Sequence, residues 1–295
     1  MSAERLSLGT VPTFPVTAAV HEIVRLALAE DIGRGDITTE ATVAPTTRAQ
    51  AEIIQKQAGV LCGLPVAELV FAALDADCRL VRLAAEGSWG ERRAVARLTG
   101  PAQAILSGER TALNFIQRLS GVAGAARRAA ELVEGTGARV LDTRKTTPGQ
   151  RVLEKYAVRV GGCHNHRAGL DDGVLIKENH IRAAGGITAA VRAALARVAP
   201  MAMVEVEVTT LEELDEAIAA GAQVLLVDNA GEDLLRAAVD RAAGRVRLEA
   251  SGGVTLANLR SVAQTGVDFI SLGALTHSAG SLDFSLEILE TTWSN

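Results

Sequence analysis

Short apolar runs in this chain are repeatedly followed by clusters of charge and glycine, and chemistry would be done at those clusters. Asp142-Thr-Arg-Lys-Thr-Thr-Pro-Gly149 places Arg144 and Lys145 just past one such run. A guanidinium offers a planar fork matched to carboxylate or phosphate, and an ammonium offers a point charge; the alternative is a solvated basic loop. Gly161-Gly-Cys-His-Asn-His-Arg167 packs His164, His166 and Arg167 into a glycine-rich loop suited to an anion. A zinc reading through Cys163, His164 and His166 matches no standard ligand spacing. Lys177 follows the run 173–176, where it could bind an anion or form a Schiff base, unless it is an exposed strand-end lysine.

Carboxylates stand at strand ends too, although Glu207 lies inside its run. Glu207 and Asp228, the latter followed by Asn229, suit ribose hydroxyls, a cationic transition state or Mg²⁺. They would equally neutralise Arg144, Lys145 and Lys177. Ser251-Gly252-Gly253 and Gly273 come after the last two runs, where glycines let backbone N–H groups approach a phosphate; taken alone they are ordinary turns. Arg110 sits on a presumed helix before all of these, and by itself reads as a surface charge. An excess of cations, two carboxylates and a late glycine-rich segment suit polyanionic, phosphorylated substrates.

The elements that must position these groups are visible as periodicity. After residue 138 six short apolar runs (139–141, 173–176, 203–208, 224–227, 246–248 and 269–272) alternate with helical stretches at 187–198, 211–220, 233–243 and 256–265. This is the pattern of parallel strands with crossover helices. Catalytic groups in such barrels sit at the C-terminal strand ends, where the charged residues fall here. Six strands are fewer than the eight of a closed barrel. Period two puts Glu205 and Glu207 on one face of their strand. Two carboxylates on an apolar strand are not expected to be buried unpaired, so both are expected at the barrel mouth.

Before residue 138 the pattern mixes strand-like runs (51–55, 79–83 and 93–98) with helices at 20–30 and 64–74. Residues 101–132 read as long helical material interrupted near Ser120-Gly121, and residues 1 to about 16 as a tail or arm. The pattern suggests a small α/β domain with an open sheet, followed by a run of β–α units short of a closed barrel.

Composition narrows the function classes. Of 295 residues, 48% are hydrophobic but only 3% aromatic, which favours helices packed on a sheet. The net charge of −5, from 30 Lys+Arg against 35 Asp+Glu, argues against a nucleic-acid surface. No apolar run approaches a membrane span, and the N-terminus shows no signal-peptide pattern. Cys62, Cys78 and Cys163 form no disulfide framework, so a reducing cytoplasm is expected.

The longer segments carry a resemblance. Glu30-Asp-Ile-Gly-Arg-Gly-Asp-Ile-Thr-Thr39, Glu109-Arg-Thr-Ala-Leu-Asn114, Asp142-Thr-Arg-Lys-Thr-Thr-Pro-Gly149, Leu153-Glu-Lys-Tyr-Ala-Val158, His166-Arg-Ala-Gly-Leu170 and Leu175-Ile-Lys-Glu-Asn-His-Ile181 resemble the quinolinate phosphoribosyltransferase family. Glu205-Val-Glu207, Asp228-Asn229, Glu249-Ala-Ser-Gly-Gly253 and Leu275-Thr-His-Ser278 continue it in order, over about residues 20 to 280. The resemblance implies an N-terminal α/β sandwich domain over 1–118, with 279–295 packing back on it, joined to an open, incomplete α/β barrel over 119–278. It implies reaction of quinolinate with phosphoribosyl pyrophosphate, with Mg²⁺, to give nicotinate mononucleotide, pyrophosphate and CO₂. A homodimer or higher assembly with active sites shared between subunits is also implied.

By the same resemblance Arg144, Arg167 and Lys177 bind the quinolinate carboxylates, helped by Thr143, His166 and Arg110 of the partner subunit. Lys145 and Lys177 face the pyrophosphate, and Glu207 and Asp228 hold the ribose hydroxyls and Mg²⁺. Ser251, Gly252, Gly253, Gly273 and His277 match the 5′-phosphate site. Cys163 stands where the family usually has a third glycine, which puts the geometry of that loop in question. The competing readings are a paralogue associated with molybdenum transport, an aldolase using Lys177 as nucleophile, and a non-catalytic protein that keeps the fold.

Overall fold

A computed structural model describes residues 11–199 and 201–292. The first ten residues of the expected arm therefore lie outside the described residues. The described residues divide into two compact units, one of 11–127, 147–162 and 278–292, the other of 128–146, 163–199 and 201–277. Elements are numbered along the chain.

The first unit is built on an antiparallel sheet of β1 (Arg48–Gln55), β3 (Arg79–Arg82), β5 (Arg93–Pro101) and β12 (Phe284–Thr292), in the order β12-β1-β5-β3. The strand β1 alternates buried and exposed positions, as one covered sheet face requires. A two-stranded ladder pairs β2 (Gly59–Val60) with β4 (Trp89–Gly90). Its helices are α1 (Ala18–Ile32), α2 (Ile37–Thr42), α3 (Leu64–Leu74), α5 (Arg151–Val160) and α4 (Ala102–Val133) as far as Arg127. Thr17 and Asp36 cap α1 and α2 by accepting the N–H of Val20 and Thr39. The glycine-bearing segment after α1 thus leads directly into a second helix.

Two expectations are corrected here. The interruption near Ser120-Gly121 is absent, and α4 is continuous. Gly121 is a packing residue, since a Cβ there would collide with the Gly280 carbonyl. The Ser120 hydroxyl, a frequent competitor for helix backbone, instead bonds the N–H and carbonyl of Cys62 at 2.9 and 3.0 Å. The division expected at 118/119 is also not a single cut. Residues 147–162, placed by the sequence in the barrel domain, pack in the first unit. Their buried polar groups explain why. Glu154 accepts from Arg118 Nη2 at 2.7 Å, and Tyr156 donates to Glu86 at 3.0 Å.

The second unit is a six-stranded, all-parallel open sheet of β6 (Arg139–Leu141), β7 (Val174–Ile176), β8 (Val204–Val208), β9 (Val224–Asp228), β10 (Arg247–Ser251) and β11 (Phe269–Ser271). The strand order is β6-β11-β10-β9-β8-β7. The crossover helices are α6 (Glu178–Ala184), α7 (Ile187–Leu195), α8 (Leu211–Ala220), α9 (Glu232–Ala242) and α10 (Leu259–Ala263), followed by the turn-length α11 (Ala274–His277). Leu225, Leu226 and Val227 of β9 are all buried, as a strand covered on both faces demands. Each such side chain contributes about 1.5–3 kcal/mol by leaving water. Leu214 and Ala217 turn the apolar stripe of α8 inward, while Thr210 caps its first turn and Gly221 ends it with φ 98°. The beginnings of α6 and α11 lack a long apolar period, which is why the sequence does not mark them.

Candidate active site

The strand ends of the second unit surround a cavity of about 530 Å³. Thr143, Arg144 and Lys145 line it after β6, and His166, Arg167 and Lys177 from the loop before β7 and its end. Glu207, Asp228, Ser251, Gly252 and Gly253 close the ring from β8, β9 and β10. Eleven of the fourteen residues singled out in the sequence therefore converge. Gly273 and His277 stand beside the lining, because a Cβ on Gly273 would come within 3.3 Å of Lys145 Cδ and 3.2 Å of the His277 ring. Arg110 is exposed on α4, in the first unit.

Local bonds hold the cations in place. Thr143 Oγ1 accepts from the Lys145 N–H at 3.0 Å, and Thr276 Oγ1 donates to the Lys145 carbonyl at 2.8 Å. Lys177 precedes α6 in an extended conformation, and its N–H donates to His180 Nδ1 at 3.0 Å. Its ammonium lies 3.3 Å from Glu207 Oε2 and is half exposed. That is not the apolar pocket that activates a Schiff-base lysine. Arg167 donates from Nη1 to the Gly173 carbonyl at 2.9 Å. Burial lowers the pKa of its guanidinium, the neighbouring Arg144 charge lowers it further, and Glu205 opposes both. Cations held against each other in this way gain when a polyanion binds between them.

The carboxylate side is pinned by strained backbone. Asn229 adopts φ 50°, its side chain donates to Asp228 Oδ2 at 2.6 Å, and its N–H donates to the Ser251 carbonyl at 2.8 Å. Gly252 has φ 81°, and a Cβ there would strike Asn229. Only glycine fits this close approach between the ends of β9 and β10.

The sequence expectation for Glu205 is corrected. It shares a face with Glu207 but sits two residues, roughly 6–7 Å, deeper along the strand, and is 7% exposed. It pairs with His166 Nε2 at 3.1 Å beneath the mouth, beside Glu249, which is 1% exposed. Leu226, Glu249 and Ser271 were missed as lining residues. Period two from Ser251 would have found Glu249, since both belong to the inner face of β10. The zinc reading fails as well. Among the described residues the grouped metal-type ligands are His166, Glu205 and Glu249, not Cys163 and His164. Cys163 is buried, its thiol is pushed up to about 12 by burial, and its backbone φ is not positive, so the position does not demand glycine.

The comparisons agree with this geometry. Residues 36–120 match the quinolinate phosphoribosyl transferase N-terminal domain, and residues 122–287 match the C-terminal domain of the same family. A probable nicotinate-nucleotide pyrophosphorylase (carboxylating) of Bacillus subtilis is 45% identical over 260 residues, covering 88% of this chain and 90% of that protein. The corresponding protein of Synechocystis sp. is 46% identical over 266 residues, covering 89% and 90%. The solved nicotinate-nucleotide pyrophosphorylase of Francisella tularensis superposes with a TM-score of 0.87 at 42% identity, covering 92% and 96%. With both halves of its length matched in order and its fold superposed, the chain belongs to the quinolinate phosphoribosyltransferase family.

Proposed function

We infer that the chain transfers the phosphoribosyl group of phosphoribosyl pyrophosphate to quinolinate, releasing pyrophosphate and CO₂ and forming nicotinate mononucleotide, a step of de novo NAD biosynthesis. The observation that carries this reading is the mouth of the second unit. Four cations, Arg144, Lys145, Arg167 and Lys177, face two strand-end carboxylates, Glu207 and Asp228, across one cavity. The reaction requires that asymmetry, because both substrates are polyanions while the reacting carbon becomes positive.

Arg144, Arg167 and Lys177 bind the two quinolinate carboxylates, assisted by Thr143. Charge-assisted bonds of this kind contribute about 1.5–3 kcal/mol each. The quinolinate nitrogen attacks the ribose C1, a C–N bond forms, and the C–O bond to pyrophosphate breaks with its electron pair leaving on oxygen. Lys145 and Lys177 face the departing pyrophosphate. Glu207 stabilises the oxocarbenium character of C1 electrostatically, together with Asp228 at the ribose hydroxyls. The positive ring nitrogen then stabilises the electron pair left on the adjacent carbon as its carboxylate departs as CO₂, and that carbon takes a proton from solvent. Ser251, Gly252, Gly253, Gly273 and His277 receive the 5′-phosphate.

Glu207 and Asp228 also offer the oxygen donors a hard cation prefers, at adjacent strand ends. They fit Mg²⁺, which when bound neutralises charge on the pyrophosphate. Arg110, exposed on α4, is proposed to complete the quinolinate site of a neighbouring copy in a homodimer or larger assembly. If so, mixing inactive Arg110→Ala and Glu207→Ala proteins regenerates activity. Three free, buried cysteines support a cytoplasmic location, and no described helix is long and apolar enough to cross a membrane.

The test is turnover of quinolinate and phosphoribosyl pyrophosphate by purified protein. Nicotinate mononucleotide and CO₂ are expected in equal amounts, and neither after Mg²⁺ is chelated. No product from folded protein would overturn the reading.

A further inference from the structure

Beneath the mouth lies a layer that the reaction as described does not use. Asp142, fully buried, accepts the His166 N–H at 2.9 Å and the Asn165 side chain at 2.6 Å, which fixes the loop. The His166 ring is held on both sides. Nδ1 accepts the Arg167 backbone N–H at 2.8 Å. Nε2 lies 3.1 Å from Glu205 Oε2 and 3.5 Å from Glu249 Oε2, whose side chains are 9% and 2% exposed.

A ring nitrogen that accepts an N–H carries no proton of its own, so the proton of this imidazole is on Nε2 and points down at the carboxyl pair. His166 is then turned away from the role the family resemblance gives it. Its N–H faces the barrel interior, while its other nitrogen grips the backbone of the next residue, whose guanidinium lines the cavity. The carboxyl pair is also unusual. Glu205 Oε1 and Glu249 Oε1 are both buried, and Glu249 has the Glu205 carboxyl and the Ser271 hydroxyl as polar neighbours. Two buried carboxyl groups packed against each other are costly and point to a task.

We propose that Glu205 and Glu249 are positioning residues for the transfer site: they take the Nε2–H of His166, and the imidazole so fixed holds the Arg167 backbone and aims its guanidinium at the substrate carboxylate. This rests on the reading that Arg167 binds quinolinate. Burial, then the charge of Glu205, pushes Glu249 up to about 8, with His166 opposing, so Glu249 is largely the neutral acid near pH 7. The neutral acid makes the pair compatible with its burial.

The test is a set of double-mutant cycles with Arg167→Ala, read as KM for quinolinate and kcat separately. His166→Ala, Glu205→Ala and Glu249→Ala are each expected to raise KM about tenfold with a smaller change in kcat. In the Arg167→Ala background each should add less than about twofold, because they act through Arg167. Additive effects would overturn the proposal, since they would mean that His166 or the carboxyls reach substrate by themselves. His166→Asn, whose side-chain oxygen stands in for Nδ1, should recover most of the KM lost in His166→Ala, whereas no recovery would count against it.

Ring ¹⁵N spectra of the wild type, with His166 assigned by its loss in His166→Asn, give a readout that needs neither turnover nor the carboxyl variants to fold. An Nε2–H tautomer is expected near pH 7, and an Nδ1–H tautomer or imidazolium would overturn the proposal. A divalent ion retained stoichiometrically by the wild type and lost in Glu249→Ala would do so too, because it would sit where the Nε2–H points. If the wild type turns over no quinolinate, the functional reading fails, and the ring spectrum still judges the geometry.

Discussion

The two units each hold a polar cavity of similar size, about 610 Å³ in the first and about 530 Å³ in the second, and they treat charge in opposite ways. In the first, Arg118 is matched. Its guanidinium donates to Glu154 and to the Ala279 carbonyl, and Glu154 also accepts the N–H and hydroxyl of Thr147. The Arg118–Glu154 pair at its wall is matched one to one. In the second, one opposite pair, Lys177 and Glu207 at 3.3 Å, stands among like groups: the Arg144 charge acts on Arg167, and the Glu205 carboxyl acts on that of Glu249. Matched charge holds a fold, while like charges held together leave a site whose electrostatics are completed by what binds. Pocket size alone would not have told the two apart.

That comparison can be broken at either end. The largest effect belongs to the matched cavity. Arg118→Ala strands Glu154, which is fully buried, and should cost about 3–5 kcal/mol of folding stability by denaturant titration. KM of the protein that remains folded should be little changed. At the second cavity the signs reverse. Glu207→Ala should reduce turnover by about 10²–10³ with the melting temperature nearly unchanged, as removal of a transition-state charge requires. Near-normal turnover would remove Glu207 from the role given to it.

Gly252→Ala should act on both properties. It forces a side chain to adopt φ 81° against Asn229, costing about 1–2 kcal/mol, and it should raise the KM for phosphoribosyl pyrophosphate more than that for quinolinate. The smallest effect sharpens the comparison most. Glu249, pushed up to about 8, keeps a proton in the folded chain that the unfolded chain releases at about 4.3. Between those values the folded state binds more protons, so this group makes stability fall as pH rises. Glu249→Gln should flatten the stability profile across that window and gain most over the wild type above pH 8, as seen in thermal melts at a series of pH values. A parallel profile would mean that Glu249 is ionised throughout.

Much of this was legible before any coordinates. The six barrel strands fall where short Val- and Leu-rich runs lie, because a strand covered on both faces has to be apolar throughout. The cations at 144, 145 and 177 could be read as strand-end groups because each follows such a run closely, whereas Arg167 was legible only as part of a glycine-rich loop. The continuous α4 was not legible, since Ser120-Gly121 looks like a break until the Gly280 backbone is seen pressed against it. Nor was the place of α5, whose attachment to the first unit depends on Glu154 and Tyr156 finding partners far away in sequence.

The sequence by itself determined the strand order's raw material, the kinds of groups at the mouth and the family to which they belong. These follow from local patterns and from ordered motifs that need no contacts to be recognised. Only the tertiary structure decided depth and partnership. Glu205 and Glu207 differ by one step of the same alternation, yet one is buried beneath an imidazole and the other faces the cavity. Periodicity tells which face a side chain takes but carries no information on how far along the barrel axis it lies, or on which side chain from another strand meets it there.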